Sequence, residues 1–405
     1  MAKVNHSSRS HALLAPSGSS RWLNCTPSAR LEEQYGERKA SPYAEEGTIA
    51  HELCEVMLRY ELAKLGAIDY NLDNYEDDYE AIAAKAIDKG YFGEEMVDSA
   101  REYVDTCVSL YEELKANNSY VDVFIEMKTD LREYIPEAFG SIDFCTASDG
   151  HLYVVDFKYG KGISVAAEMN SQMMIYALGA LQRCGLEYDI DEVSLIIVQP
   201  RIKNLDRYDM TVADLLNWAD TVLIPKARMA FDGDGELQAG GWCQFCLVKA
   251  RCKALYEEQL KLAAYDFKEA MLLTDDELAE IVLRSKDFIE WINAIQDYVY
   301  KKATEEGVKY NGLKLVEGRQ TRRWNVDEET AMTEIKSRFS LDDNDVYEMK
   351  AKSLTAIEKL VGKKNFEAKT GDLIVKKSSG LSLVPASDPR PEANPSAVDD
   401  FNDLN

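Results

Sequence analysis

The chain of 405 residues is long enough for two or three domains, and its hydrophobic fraction of 46% is that of a globular protein with a sizeable core. A formal net charge of −25 excludes a protein that coats nucleic acid through a generally basic surface, but it allows an enzyme with a local basic channel. No apolar run is long enough to cross a bilayer, and the Ser-rich start lacks the apolar core of a signal peptide. We therefore expect a cytoplasmic protein without a membrane partner, whose eight cysteines are thiols or metal ligands rather than disulfides.

Helices are predicted to dominate the first part of the chain, after a flexible segment over residues 1–16. A short helix is expected to begin at Ser19 or Ser20, either of which is a good N-cap. The next helix, over about residues 49–65, has apolar residues at helical spacing and carries His51 near its start. Two further helices are predicted over about residues 79–87 and 94–116.

The pattern changes to strands at Tyr120. Residues 120–128 predict a strand with Glu126 near its end. The dipeptide Asp149-Gly150 separates two β-rich runs and predicts a hairpin, with Asp143 on one strand and Asp156 on the other.

The second half of the core alternates helix and strand. A helix is predicted over about residues 167–183, and the apolar run at 193–199 is typical of a strand buried on both faces. Another helix is expected over about residues 211–231. Helices, three strands, helix, strand and helix together predict a mixed α/β core.

Beyond a glycine-rich break at residues 233–241 the chain is predicted to be mostly helical. The expected elements are helices over about 256–271, 275–305 and 327–364, a small strand pair at 310–323 and a short β-run at 370–383. From residue 385 the composition predicts a disordered acidic tail. That tail either keeps the chain soluble or recruits a partner.

Three charged residues of the predicted hairpin form a compact group. Successive residues of a strand point to opposite faces, so Asp156 and Lys158 share one face, with Asp143 one strand over. Charges on a strand that is buried on one face have to be paired or used. The group is therefore either a structural salt bridge or a site for a hard cation such as Mg²⁺ or Mn²⁺.

Two helices place further polar side chains near this group. His51 is either an ordinary surface or core histidine or a ligand aimed at a metal on the sheet, since neutral imidazole binds divalent transition ions. Gln172 and Tyr176 are four residues apart and share one helix face. They form either a partly buried polar edge or a phosphate or DNA contact beside the charged group.

The cysteines fall into two sets. Cys243, Cys246 and Cys252 are compatible with zinc ligands, a redox pair or unrelated thiols, although their spacing favours a metal. A trio leaves one ligand missing, and Cys25 could supply it. The other four cysteines are expected to be buried small hydrophobes: Cys54, Cys107, Cys145 and Cys184.

Several of these residues, in their order and spacing, resemble the motifs of RecB-like nucleases of the PD-(D/E)XK superfamily. The matching motifs are His51, Gly140-x-x-Asp143, Asp156-Phe-Lys158 and Gln172-x-x-x-Tyr176. The four cysteines, with Ser17-x-Ser19-x-x-Trp22 leading to the first, resemble the iron–sulfur branch of that family. That branch includes the AddB nuclease domain and the CRISPR-associated RecB-like exonuclease.

The resemblance implies a fold and two cofactors. Residues 17–256 would form a restriction-endonuclease-like core, a mixed sheet flanked by helices. A [4Fe–4S] cluster would close it, held by Cys25, Cys243, Cys246 and Cys252. A helical accessory region over residues 257–384 and the tail over 385–405 lie outside the resemblance.

The resemblance also implies a function: metal-dependent hydrolysis of phosphodiester bonds in DNA, by an exonuclease of phage recombination, replication or repair. In this interpretation Asp143, Asp156, the Phe157 carbonyl and His51 hold Mg²⁺ or Mn²⁺. Lys158 positions or deprotonates the attacking water and stabilises developing negative charge. The remaining implied contacts are Glu126 as a further acid, Gln172 and Tyr176 on the DNA backbone, and Lys161 and Arg201 on phosphates, unless these last two are plain surface residues.

Two other interpretations stay open. A catalytically silent protein on the nuclease fold could bind DNA or serve as a scaffold, although a decayed site should have lost one of its charged residues. Alternatively, a metal-bound interaction module could recruit a recombination or replication partner, such as a single-strand-binding protein, through its acidic surface and tail.

Overall fold

The computed structural model describes residues 12–35, 42–162, 164–263, 275–316 and 325–347, with residues 352, 354, 357, 366, 369–370 and 373–374. The chain divides into two compact units, Met1–Tyr300 and Lys301–Asn405. The candidate site lies entirely in the first unit.

Helices dominate the described residues before the sheet, as predicted. They are α1 (Ser19–Asn24), α2 (Ser28–Tyr35), α3 (Pro42–Lys64), α4 (Tyr75–Asp88) and α5 (Glu94–Asn117). Helix α2 was not predicted. Helix α3 begins well before the predicted start near residue 49. Proline has the fixed φ that suits a first helical position, and Gly47, expected to precede the helix, lies inside it.

The packed structure begins before α1. Leu14 is fully buried, and Trp22 Nε1 donates a hydrogen bond of 3.0 Å to the carbonyl of Ala15. Residues 12–16 therefore do not belong to a flexible segment, and the predicted boundary at residue 16 is wrong for them. Residues 1–11 lie outside the described residues.

Five strands form one mixed sheet in the order β1-β2-β3-β4-β5. The strands are β1 (Asp122–Asp130), β2 (Phe139–Ser148), β3 (Gly150–Phe157), β4 (Ile190–Gln199) and β5 (Asn204–Thr211). The predicted hairpin is confirmed: β2 and β3 are antiparallel, and Gly150 at the turn has the positive φ of 87° that glycine tolerates. Strand β4 runs parallel to β3, and the other neighbours are antiparallel.

Helices cover both faces of the sheet, so the predicted mixed α/β core is confirmed. Helix α6 (Ser171–Cys184) connects β3 to β4 and packs with α1 on one face, together with the two helices that follow the sheet. These are α7 (Val212–Trp218) and α8 (Ile224–Asp232), joined by a π-helical turn at Ala219–Leu223. Helices α3 and α5 pack on the other face.

Two glycines allow α6 to approach the sheet closely. A Cβ atom at Gly179 would lie 2.3 Å from Thr129 Oγ1, and one at Gly140 would lie 3.1 Å from Tyr176 Cε1. Any side chain at Gly179 would therefore push the helix away from β1. This close approach sets where the first turn of α6 meets the ends of the strands.

Strand β5 was not predicted. It is an edge strand in which half-buried and exposed residues alternate, and it carries Asp206, Arg207 and Asp209. Charges are common on edge strands because they discourage pairing with other chains, and they dilute the apolar signal. Only Tyr208 and Met210 add to the core.

The C-terminal helices follow the prediction where the chain is described. They are α9 (Lys253–Ala263), α10 (Asp275–Glu305), α11 (Glu328–Phe339) and α12 (Asp343–Val346). Residues 310–316 form a turn and extended chain rather than a strand, and residues 317–323 lie outside the described residues. So do the tail from residue 385 and almost all of the predicted β-run at 370–383. No helix in the described residues is long and apolar enough to span a membrane.

Candidate functional site

The candidate site lies where β2 and β3 stop pairing. Their register ends with Phe144 opposite Val155, so Asp143 and Asp156 lie immediately beyond the last pair. The backbone N–H of Phe157 donates to Asp143 Oδ2 at 2.8 Å. This bond holds the Asp143 carboxylate in the gap between the two strands.

Three residues bring potential metal ligands together here. One atom each of His51, Glu126 and Asp143 lies within 4.8 Å of the others. His51 extends from α3, with its Nδ1 3.5 Å from Asp143 Oδ2. Its ring packs edge-on against Phe157, the residue whose carbonyl is predicted as a further ligand. An imidazole with two carboxylates can hold a divalent cation.

Glu126 belongs to the site more firmly than the sequence indicated. The strand pairs on either side place it across from Asp143. Its φ of 49° lies in the left-handed region, which is costly for a residue with a side chain and recurs at functional sites. Ser141 Oγ donates to Glu126 Oε2 at 2.9 Å. An acid inside the apolar run Val-Phe-Ile-Glu-Met was the sequence signal for it.

The trio is electrostatically unfavourable without a cation. Burial, and then the neighbouring Asp156, raise the pKa of Asp143. Burial, and then Asp143, raise the pKa of Glu126. Burial lowers the pKa of His51, so its imidazole stays neutral and keeps a lone pair. A bound cation would favour the ionised carboxylates that burial now disfavours.

Asp156, predicted as a ligand, lies beside the trio. Within the described chain it places no oxygen within 4.8 Å of all three ligand atoms. Its Oδ1 accepts from Gln172 Nε2 at 3.1 Å, and Lys158 Nζ lies 2.9 Å from its Oδ2. Oδ2 is buried, so the ion pair with the Lys158 ammonium is what compensates its charge.

Gln172 connects the two ends of this ion pair. Its Oε1 accepts from Lys158 Nζ at 3.2 Å while its Nε2 donates to Asp156. Asn170 fixes its place at the start of α6, because Asn170 Oδ1 accepts from the Gln172 backbone N–H at 3.1 Å. Burial acts to lower the pKa of Lys158, but Asp156 outweighs it and leaves that pKa above its ordinary value. The ammonium is therefore held charged beside the trio.

Tyr176 lies one turn after Gln172 on α6. It is buried, and its hydroxyl accepts from Gln172 Nε2 at 3.3 Å. Burial raises its pKa well above the usual range. Neither Tyr176 nor Gln172 lines the cavity at the site. In the free chain they support the Asp156–Lys158 pair rather than present a surface to DNA.

The trio opens into a cavity of about 830 Å³, within the size range of ligand sites. Its charged or ionisable lining residues are Glu46, His51, Glu126, Asp143, Lys158, Lys161 and Arg201, with Tyr43 and Tyr159. The two predicted phosphate contacts thus lie at the site, and both form ion pairs with Glu95. Sequence reasoning missed Glu46 and Glu95, since acids on exposed helix faces are too common to stand out.

The four predicted cluster cysteines meet at a second place. Cys25, Cys243, Cys246 and Cys252 all line one small pocket, although Cys25 is more than 200 positions away in sequence. In the described chain no three of their sulfur atoms lie within 4.8 Å of one another. Burial raises the pKa of Cys243, and it raises that of Cys246 to about 11. The fold brings these residues together without forming a tight metal-ligand group.

The other four cysteines are free thiols in the two cores, as predicted. Each is buried, and they are Cys54, Cys107, Cys145 and Cys184.

Comparison with known proteins gives a family and a distant structural likeness. A family model described as "Protein of unknown function (DUF2800)" matches residues 11–391. Among solved structures, the chain is similar to "Crystal structure of SSO0001", with 14% identity over 56% of this chain and 95% of that one. The TM-score of that match is 0.22, and a likeness at that level carries no argument.

Proposed function

We propose that this chain, which belongs to the DUF2800 family of proteins of unknown function, is a metal-dependent nuclease that hydrolyses phosphodiester bonds in DNA. One observation carries the proposal. A trio of metal-ligand side chains and a half-buried, charged lysine meet at one open cavity. A hydrolase acting on a phosphodiester needs a cation site, a fixed positive charge and access for the substrate.

The ion we propose is Mg²⁺ or Mn²⁺. Two carboxylates and a backbone carbonyl are hard ligands, which suit both ions. His51 adds one nitrogen, and imidazole is less suited to Mg²⁺ than to Mn²⁺. We therefore expect Mn²⁺ to support activity at lower concentration.

The roles of the protein side chains follow from their contacts. His51, Glu126 and Asp143 would hold the ion, which when bound supplies Lewis-acid activation of water and of the scissile phosphate. Lys158 is held protonated by Asp156, so its role is to stabilise negative charge on the phosphate rather than to remove a proton.

The cysteines support a second cofactor, a [4Fe–4S] cluster. Four zinc-bound thiolates at bonds of about 2.3 Å would lie roughly 3.8 Å apart, whereas in the described chain no three of these sulfur atoms lie even within 4.8 Å of one another. Four irons need more widely spaced sulfurs, and four thiolates are the usual ligand set of such a cluster. Arg21 and Lys249 line the same pocket and would offset its negative charge. Purified without oxygen, the protein should be brown and contain about four irons per chain; colourless protein with one zinc would overturn this assignment alone.

The proposed setting is phage DNA recombination, replication or repair in the cytoplasm, with exonuclease action on DNA. A recombination or single-strand-binding protein would be the partner. This setting rests on the resemblance of the motifs. A pulldown with and without residues 385–405 would test whether the tail recruits that partner.

A digestion assay tests the proposed activity. Linear and circular DNA, single- and double-stranded, would be incubated with Mn²⁺ and wild-type protein, Asp156→Ala or Lys158→Ala. Both variants should cut at least about a hundredfold more slowly. Asp191→Asn, which changes an exposed acid at the start of β4, is the matched control and should cut like the wild type. Equal cutting by all four proteins would refute the assignment, and wild-type protein that binds DNA without cutting would favour the silent scaffold.

A further inference from the structure

Two cations lie on the wall of the site cavity away from the metal ligands. Lys161, between Gly160 and Gly162, places its Nζ 2.7 Å from Glu95 Oε1. Arg201, two residues after β4, places one guanidinium nitrogen 3.0 Å from Glu95 Oε2. One carboxylate on α5 thus forms ion pairs with both cations.

The two cations differ in how strongly their surroundings restrain the side chain. The Arg201 side chain is only 12% exposed, and its guanidinium lies 4.2 Å from the centre of the Tyr159 ring. It also lies 3.3 Å from Glu46, and its Nε is buried with no hydrogen-bond partner among the described residues. Arg201 is therefore a fixed, incompletely satisfied donor.

Glu95 and Lys161, in contrast, are free to rearrange. Their side chains are 53% and 52% exposed, so either can turn into water without a burial cost. The hydrogen bond from Lys161 is the largest cause of the lowered pKa of Glu95, and Arg201 lowers that pKa further. An exposed carboxylate between one fixed and one mobile cation has the chemistry of a replaceable anion.

We propose that Lys161 and Arg201 form a second phosphate subsite for the DNA backbone, and that Glu95 occupies it as an internal anion until DNA displaces it. The subsite deepens the proposed nuclease function and rests on it for the identity of the ligand. A phosphodiester replaces the carboxylate charge for charge, and guanidinium binds phosphate through paired donors. A ligand without a phosphate that reaches Lys161 and Arg201 while it contacts the metal site could not replace Glu95. Glu95 would therefore weaken the binding of such a ligand.

A binding measurement tests this without any cleavage. A fluorescent single-stranded 12-mer would be titrated with the full chain in EDTA, so that no strand is cut. Glu95→Gln should lower its Kd about two- to fivefold, the value of an exposed ion pair. The slope of log K against log salt concentration should become steeper by about 0.7. In Glu95→Gln, binding of the 12-mer would release a counterion rather than displace the Glu95 carboxylate.

Glu94→Gln is the matched control, since it removes the same charge one residue earlier in the first turn of α5. It should leave the Kd and the salt slope near the wild-type values. In the double variant Glu95→Gln, Lys161→Ala the gain should disappear. Thermal unfolding of each variant would separate a loss of fold from a change in affinity.

The outcomes separate this inference from the nuclease proposal. Equal affinities for Glu95→Gln and Glu94→Gln, or a gain that survives loss of Lys161, would overturn the subsite and leave cleavage by the wild type untouched. Tighter binding by Glu95→Gln in a chain that never cuts DNA with Mn²⁺ would support the subsite and overturn the nuclease.

Discussion

Two candidate cofactor sites in the first unit differ in how completely the fold assembles them. At the sheet, three ligand atoms lie within 4.8 Å of one another, carried by two paired strands and a long helix. At the cysteine pocket, four thiols meet without a comparably tight trio, carried by short turns from distant parts of the chain. Sheet pairing holds the residues of the first site together without an ion, whereas the second would depend on the proposed cluster for its shape. We therefore expect that loss of a ligand residue at the sheet site stops activity, and that loss of a cysteine ligand destabilises the fold.

The largest effect is expected from Asp143→Asn. The amide keeps the acceptor for the Phe157 N–H but removes the charge shared with Glu126. Cleavage should fall about a thousandfold. In EDTA the unfolding temperature should stay level at neutral pH, where the Asp143 carboxyl is mostly protonated, and should rise above about pH 8, where a buried like-charge interaction is removed.

These two readouts test the sheet half of the comparison. If Asp143→Asn lowers the unfolding temperature while cleavage persists, the carboxylate is part of the scaffold. Glu137→Gln, which alters an exposed acid before β2, provides the charge-matched control for the digestion.

Cys246→Ser tests the other half, through stability. If the cluster ties Cys25 to residues 243–252, its loss should cost about 4 kcal/mol, as expected when a structural metal group is removed. Iron content and visible absorbance should fall together with the unfolding temperature.

Cys184→Ala serves as the control for Cys246→Ser, because it removes an equally buried thiol from the core against α6. It should keep full iron content with only a modest loss of stability. Unchanged iron in Cys246→Ser would show that the cysteine pocket is not a cluster site.

Gln172→Ala should have an intermediate effect. Gln172 contacts Lys158 and Asp156 but does not line the cavity, so it acts as a positioning residue. The kcat should fall by about 10- to 100-fold, with KM near wild type. A rise in KM at constant kcat would instead place Gln172 on the DNA.

The pH dependence of the apo-protein follows from the raised carboxyl pKa values. Burial raises the pKa of Asp143 to about 8 and also raises that of Glu126. Folding therefore favours the protonated forms, so their contribution is complete below the unfolded-state values near 4 and is lost as pH rises towards about 8. Unfolding temperatures in EDTA should fall over this window, and Mn²⁺ should raise them most at its upper end. Asp143→Asn should flatten the EDTA curve.

The sequence predicted the parts of this molecule that have a strong local signal. The Asp149-Gly150 hairpin and the buried strand that ends at Gln199 were predicted correctly. A tight turn and an apolar run can each be recognised from a few neighbouring residues. The edge strand β5 was missed because its charges dilute the apolar signal, and the early start of α3 at Pro42 was missed because Gly47 was expected to precede the helix.

At the site the sequence placed the right residues near one another but not their partners. Asp143, Asp156 and Lys158 follow from strand periodicity, and His51 follows from its place on α3, although that helix begins nine residues before it. The left-handed turn that aims Glu126 and the Glu95 ion pairs do not, because both depend on contacts between elements distant in sequence. Asp156 was expected in the ligand group, but its pairing with Lys158 and Gln172 holds it beside the trio.

The smallest effect is expected from Tyr176→Phe. The ring keeps its packing against Gly140, and only the hydroxyl that accepts from Gln172 is lost. Removing one neutral hydrogen bond costs about 1 kcal/mol, so kcat should fall only severalfold. In the Gln172→Ala background the same change should have almost no further effect on kcat, because Tyr176 would act through Gln172. If the two substitutions instead lower kcat independently, Tyr176 contacts the substrate itself. The α6 residues that support the sheet site would then end at Gln172.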